Sequence, residues 1–204
     1  MKLRLLVSLI CLLFLPEVSS AAPPKSLAGI HLGATIDDIS DKIDRSTSVP
    51  LWGSPYLSKV SLKPVDGFRS GYVIYGNCKN IGRIIRIKMS YEDESEELYH
   101  QLHIALDKRY GKSAEWRGNP FGTLRIWKWS MKDPSHNSIS IILERFEGDD
   151  DSFTPGNSLR LTNSTLMEEE KACYEKKAKE LPQGKGAETP AAPGKVDIDR
   201  FLPQ

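Results

Sequence analysis

Arg83-Ile84-Ile85-Arg86-Ile87-Lys88-Met89-Ser90-Tyr91 is the stretch that decides the fold, because apolar and polar residues alternate along it. In an extended chain Ile85, Ile87, Met89 and Tyr91 fall on one side and Arg86, Lys88 and Ser90 on the other. That pattern predicts a strand with one face in a core and one in water. Upstream, the turn residues Pro50, Gly53 and Pro55 precede two more strand-like runs, 56–62 and 71–75. Before them, Thr35 and Asp38 stand in capping-box spacing, with Ile36, Ile39 and Ile43 as the apolar stripe of a short helix. Downstream, a helix is predicted from about Glu94 to Tyr110. Asp93 with Glu96 opens it, Gly111 stops it, and Leu98, Leu102, Leu106 and Tyr110 bury it. Three further strands come after Asn119-Pro120, at 122–131, 138–145 and 157–163, and Thr165 with Glu168 opens a last helix that runs to about Glu180.

Short turns force neighbouring strands to pair antiparallel, and strands with one wet face need helices over the other. The order therefore predicts an α+β fold, with helices packed on one face of antiparallel sheet in tandem αβββ units at 27–91 and 92–181. The units form either one six-stranded sheet or two smaller ones.

Residues 1–21 read as an export leader: Lys2 and Arg4, an apolar run at 5–15, then Ser19-Ser20-Ala21 at a cleavage site. The run is broken by Pro16 and Glu17 and falls short of the roughly 20 apolar residues a membrane span needs. Lipid attachment at Cys11 is disfavoured by the bulky Ile10 before it. The expected location is the periplasm or the exterior, with no transmembrane segment in the mature chain. Residues 182–204 are rich in Pro, Gly, Ala and charge and read as a disordered tail, leaving 22–181 as the folded domain.

The 204 residues carry a net charge of +1, which equals the +1 of the leader (Lys2, Arg4 and Glu17), so the mature chain is close to neutral. Nucleic acid is excluded as a partner on that ground, since phosphate recognition over a long surface needs a basic stripe. Two cysteines lie beyond the leader, Cys78 and Cys173. In an oxidising compartment they are expected to form a disulfide, the alternative being two buried thiols.

Glu96, His100, His103 and Asp107 fall on one side of the predicted 94–110 helix. Imidazoles and carboxylates at that spacing are candidate ligands for Zn²⁺ or a similar ion, against the alternative of a solvated helix face. No His-Glu-x-x-His motif and no Gly-x-Ser-x-Gly motif occurs, so neither a catalytic residue nor a bound cofactor is expected. Trp127, Trp129 and Met131 share one face of a strand and Leu124 and Ile126 the other, which predicts a central strand covered on both sides. Trp52 and Trp116 lie in predicted loops and are candidate anchors for a partner.

Gly29-Ile30-His31-Leu32-Gly33-Ala34-Thr35-Ile36-Asp37-Asp38-Ile39 resembles the opening of small exported bacterial domains. These include the outer-membrane assembly lipoproteins of the BamE (SmpA/OmlA) type and the β-lactamase-inhibitory-protein fold, in which helices stack on antiparallel strands in tandem units. Leu106-Asp107-Lys108-Arg109-Tyr110-Gly111-Lys112, with Trp127-Lys128-Trp129 after it, is similar to other exported proteins of that build. The resemblance implies a non-enzymatic protein that docks on another envelope or secreted protein. The alternative is a small periplasmic metal-dependent hydrolase built on His100 and His103.

Overall fold

The alternating run sits in the middle of a sheet, and the chain on either side of it winds into two meanders that meet there. A computed structural model describes residues 21–113, 115–150 and 153–180; the expected tail and all of the expected leader but Ala21 lie outside the described residues. Strands β1 (Ser26–Leu27) and β2 (Ile30–His31) form a small hairpin. The first meander is β3 (Ile43–Leu51), β4 (Ser54–Leu62), β5 (Phe68–Gly76) and β6 (Ile84–Tyr91). Helix α1 (Glu96–Tyr110) leads to the second, β7 (Glu115–Gly118), β8 (Leu124–Lys132), β9 (Ser138–Phe146) and β10 (Gly156–Asn163), and α2 (Ser164–Glu180) comes last. Spatial order is β3-β4-β5-β6-β10-β9-β8-β7, antiparallel throughout, so the last strands of the two meanders form the seam.

This corrects the expected fold class. The molecule is mostly antiparallel sheet, one of eight strands and one of two, with two helices among the described residues, and is not a helix-packed α+β fold. The helix expected at 35–43 is absent. Its capping box does form: the Thr35 amide donates to the Asp38 carboxylate at 2.8 Å and the Asp38 amide to Thr35 Oγ1 at 3.3 Å. Beyond the box the backbone makes only i→i+3 turns, Ser40 to Asp37 and Lys42 to Ile39. The chain must be extended again at Ile43, and so short a stretch does not offset the cost of nucleating a helix. Ile39 and Ile43 are nonetheless buried, so the apolar stripe finds a core without the helix.

The two helices also lie on opposite faces. Val60, Val73, Ile87, Leu161, Ile141 and Trp129 stand in one row across six strands. Over the first half of that face pack Ile30 from the β1–β2 hairpin, Ile39 from the turns after it and Ile43 at the start of β3. Over the second half packs α1, through Tyr99, Leu102, Leu106 and Tyr110. Leu27 and Leu32 touch both clusters and join them. Helix α2 lies on the other face, with Leu166 and Met167 against Leu57, Ile74 and Ile85. Ile85 reaches that side because the β5–β6 register shifts between Ile74 and Tyr75, a bulge that breaks the strict alternation of β6.

Helix starts differ from expectation by local chemistry. Ser95 caps α1, its Oγ accepting from the Leu98 amide at 3.2 Å, while Asp93 accepts from Ser95 itself. Asn163 caps α2 by accepting from the Leu166 amide at 3.1 Å, which frees Thr165 Oγ1 to accept from Ser138 on β9.

A clamp fixes α2 to the β5–β6 connection. Cys78 and Cys173 form a disulfide with Cα atoms 5.9 Å apart. One turn earlier in the helix, the fully buried Glu170 carboxylate accepts from the amides of Cys78 at 2.6 Å, Lys79 at 3.0 Å and Asn80. Glu169 adds Lys79 Nζ at 3.0 Å and Asn80 Nδ2 at 2.9 Å, and these contacts, Asn80 first, hold its carboxyl below the usual range. Gly76 makes this approach possible, since a Cβ there would lie 2.6 Å from both the Glu170 carboxyl carbon and the Asn80 carbonyl oxygen.

Candidate functional site

The four candidate metal ligands on α1 do not converge. Glu96 Oε1 takes Arg125 at 2.6 Å and lies 3.4 Å from His100 Nε2, and these contacts, Arg125 first, lower its pKa. One turn on, His103 stacks on Trp127 with ring centroids 4.2 Å apart. Asp107 accepts from Trp129 Nε1 at 3.1 Å and from the Ser113 amide at 3.0 Å. Its other oxygen is 3.6 Å from His103 Nε2. The four residues therefore split into two pairs that anchor the helix to β8 and close its C-terminal turn. No group of three or more metal-ligating side chains occurs among the described residues.

The tryptophan strand is β8, and it is not central: only the four-residue edge strand β7 lies beyond it. Trp127 and Trp129 pack under α1 with His103, and Trp129 is buried. On the reverse face Ile126 belongs to none of the three apolar clusters. Apolar residues on both sides of a strand thus mark one face in a core cluster and one half-buried face outside the clusters here.

Tyr99 lies at the centre of the α1 interface and Tyr91 at the end of β6, and burial pushes both phenols up to about 12. A phenol whose folded pKa is raised contributes stability below its ordinary value near 10 that is lost as pH rises toward about 12. Phenolate absorbance is expected to show two late-titrating tyrosines that ionise together with unfolding. Tyr99 titrating near 10 in the folded protein would contradict the packing of α1, and Tyr91 doing so would contradict its burial at the end of β6.

Large apolar side chains stand out at both edges of the sheet. Trp52 is 99 % exposed at the tip of the β3–β4 hairpin, where Gly53 with φ of 68° closes a two-residue turn. Trp116, on edge strand β7, is 55 % exposed. Phe121, which no sequence pattern marks, is 87 % exposed on the β7–β8 turn. That turn is well tied: the Asn119 amide donates to the Leu124 carbonyl at 3.1 Å, the Leu124 amide to Asn119 Oδ1 at 3.2 Å, and Asn119 Nδ2 to Thr123 Oγ1 at 2.6 Å. Phe121 is therefore presented by a hydrogen-bonded turn next to β7, beyond which no described strand lies, and Trp116 is on the same hairpin.

The sheet face opposite α1 is polar where α2 does not cover it. One row across five strands reads Tyr72, Lys88, Arg160, Ile142 and Lys128, and the next reads Ile74, Arg86, Thr162, Ser140 and Ser130. Lys88 is engaged by Glu144 at 3.1 Å, both nearly buried. Arg86 donates to Thr162 Oγ1 at 3.2 Å and contacts the Met167 sulfur at 3.8 Å. Burial, chiefly, and the charge of Arg160 hold its guanidinium below its ordinary pKa. No described helix is long and apolar enough to cross a membrane. The chain matches no protein-family model, no curated protein and no solved structure.

Proposed function

We propose that the chain is an exported, non-enzymatic binding protein that engages another envelope or secreted protein, periplasmic or extracellular, through the aromatic edge formed by β7 and its turn. The observation that carries this reading is the display of Phe121 and Trp116, on a hydrogen-bonded turn and its edge strand, beside a sheet edge that pairs with no further strand among the described residues. Exposed aromatic anchors on a preorganised loop dominate interface energies, and an open edge offers backbone donors and acceptors to a partner strand. The Cys78–Cys173 bond supports the export part, since such bonds persist in oxidising compartments. Trp52, at the far edge, is a second anchor on the same terms.

The test is capture from envelope extract of the producing cell by the mature protein, compared with Trp116→Ala plus Phe121→Ala and with Trp52→Ala. A specific partner is expected to be retained by the parent protein and weakened at least tenfold in the double variant, each truncation costing about 1–2 kcal/mol. Far-ultraviolet circular dichroism checks that the fold is intact. Equal capture by the double variant would sink the edge as the interface, and an exported product still carrying Met1 would sink the processing.

A further inference from the structure

The seam between the two meanders opens at one end into a cavity. The β6–β10 ladder stops at Arg86 and Thr162. Beyond it β6 turns away, with the Gly33 amide donating to the Ile84 carbonyl and the Ile84 amide to the Ala34 carbonyl, each at 2.8 Å. Asn163 stays paired with Ile139 on β9. Where the strands part lies a space of about 420 Å³, the size of a small-molecule site. Every residue around it lies beyond the expected leader.

Donors reach this space from both strands. Asn163 is only 8 % exposed; its Oδ1 accepts from the Leu166 amide, so its Nδ2 is turned the other way, and that nitrogen donates to no described residue. It is not sealed from solvent either, which leaves the cavity as the space it meets. Arg83 donates through Nη1 to the Gly33 carbonyl at 2.8 Å, and Gly33 is itself part of the wall, so the guanidinium is held at the lining with its other N–H groups uncommitted. Arg83 forms no ion pair among the described residues; Asp38, lowered first by its Thr35 hydrogen bonds, also feels its charge. Lys25 adds a second positive charge. The carboxylate on the wall, Asp133, is occupied by its own turn, accepting from the amides of Ser135 at 2.9 Å and Asn137 at 2.8 Å and from Asn137 Nδ2 at 2.9 Å. That balance favours an anion. Asn80 and Asn137 supply acceptors, because each donates its Nδ2 to a carboxylate, Glu169 and Asp133 respectively, and each Oδ1 is left without a donor among the described residues. Leu32, Ile139 and Leu166 form the apolar part of the wall.

We propose that this cavity binds a carboxylate that carries an amide and an apolar side chain, the chemistry of an acylated amino acid or of a peptide's C-terminal residue. The Arg83 guanidinium and Asn163 Nδ2 donate to the carboxylate, whose two coplanar oxygens match the guanidinium fork. The Oδ1 atoms of Asn80 and Asn137 are the acceptors for the ligand N–H, and its side chain rests on Leu32, Ile139 and Leu166. A bare inorganic anion would use neither the acceptors nor the apolar wall. The cavity shares no residue with the aromatic edge and does not depend on it.

Titration of the mature full-length protein with N-acetyl-leucine, followed by calorimetry and by the Asn163 side-chain amide resonance, tests it. Saturable binding that shifts this resonance is expected. Arg83→Gln is expected to weaken it about tenfold, and removing the anion from the probe, as N-acetyl-leucinamide, by a similar factor. Asn163→Asp keeps the oxygen that caps α2 but replaces the donor with a charge like the ligand's, so it should abolish binding while circular dichroism shows the fold intact. It decides the matter if the arginine variant fails to fold. Lys108→Gln, on α1, should bind as the parent does. The tetrapeptide Gly-Gly-Gly-Leu separates the two sources: binding at least as tight as that of N-acetyl-leucine assigns a peptide end, and weaker binding a free acylated amino acid. The proposal is overturned if N-acetyl-leucine does not bind, if it binds Arg83→Gln or Asn163→Asp as tightly as the parent, or if N-acetyl-leucinamide or acetate binds equally well.

Discussion

Replacing Cys78 and Cys173 by alanine, or reducing the bond between them, is expected to cost about 4–5 kcal/mol of stability. The bond spans a sequence separation of 95 residues, and restricting the unfolded chain over a loop of that length is worth roughly that amount. It would appear as a lower urea midpoint and a fall in melting temperature on the order of 10 °C. The location of the bond sharpens the expectation. It joins the β5–β6 connection in the first meander to α2, the last element of the second, so it crosses the whole topology rather than a local hairpin. The sheet does not need it for pairing, because β6 and β10 are already joined by their own ladder. The reduced protein should therefore keep its strand content at low denaturant while α2 protects its amides less. An unchanged midpoint in the double variant would show that the clamp rests on Glu170 alone.

The six interior strands are legible in the sequence because each carries a run of alternating or β-branched residues long enough to bury one face. The edges are not. β3 is Ile-Asp-Arg-Ser-Thr-Ser-Val-Pro-Leu, polar and mostly exposed, with Pro50 near its end, and only the ladder to β4 makes it a strand. β7 is four residues long and has no periodicity to read. The helix expected at 35–43 fails for the opposite reason: its cap and its apolar spacing are real, but tertiary geometry takes the chain away before a second turn. The candidate sites show the same limit. Spacing on α1 places Glu96, His100, His103 and Asp107 together, but strand β8 supplies Arg125, Trp127 and Trp129 as their partners, and those lie in another part of the chain. Near-neutral composition conceals that Arg86, Lys88 and Arg160 stand together on one face, since net charge carries no information about which strands become neighbours.

Glu170→Gln is expected to destabilise the protein by about 3 kcal/mol, and Glu170→Ala by more. Glu170 follows two other glutamates in the sequence, yet in the fold it is fully buried and its two oxygens receive three consecutive backbone amides. Each of those partly buried donors is directed at Glu170, so removing the carboxylate leaves them unmatched in a low-dielectric site. Glutamine keeps the size and one acceptor but turns an amide nitrogen toward an N–H, so it loses an acceptor where alanine loses both. Because the disulfide and Glu170 hold the same loop to the same helix, their effects should not add. Once either is gone, α2 can lift from Leu57, Ile74 and Ile85, and the other has less contact left to preserve. A double-mutant cycle between Glu170→Gln and the cysteine pair is thus expected to give a combined loss smaller than the sum. A strictly additive cycle would mean that the two fastenings act on separate parts of the fold, contrary to their meeting at Cys78, whose amide donates to Glu170 while its sulfur bonds Cys173.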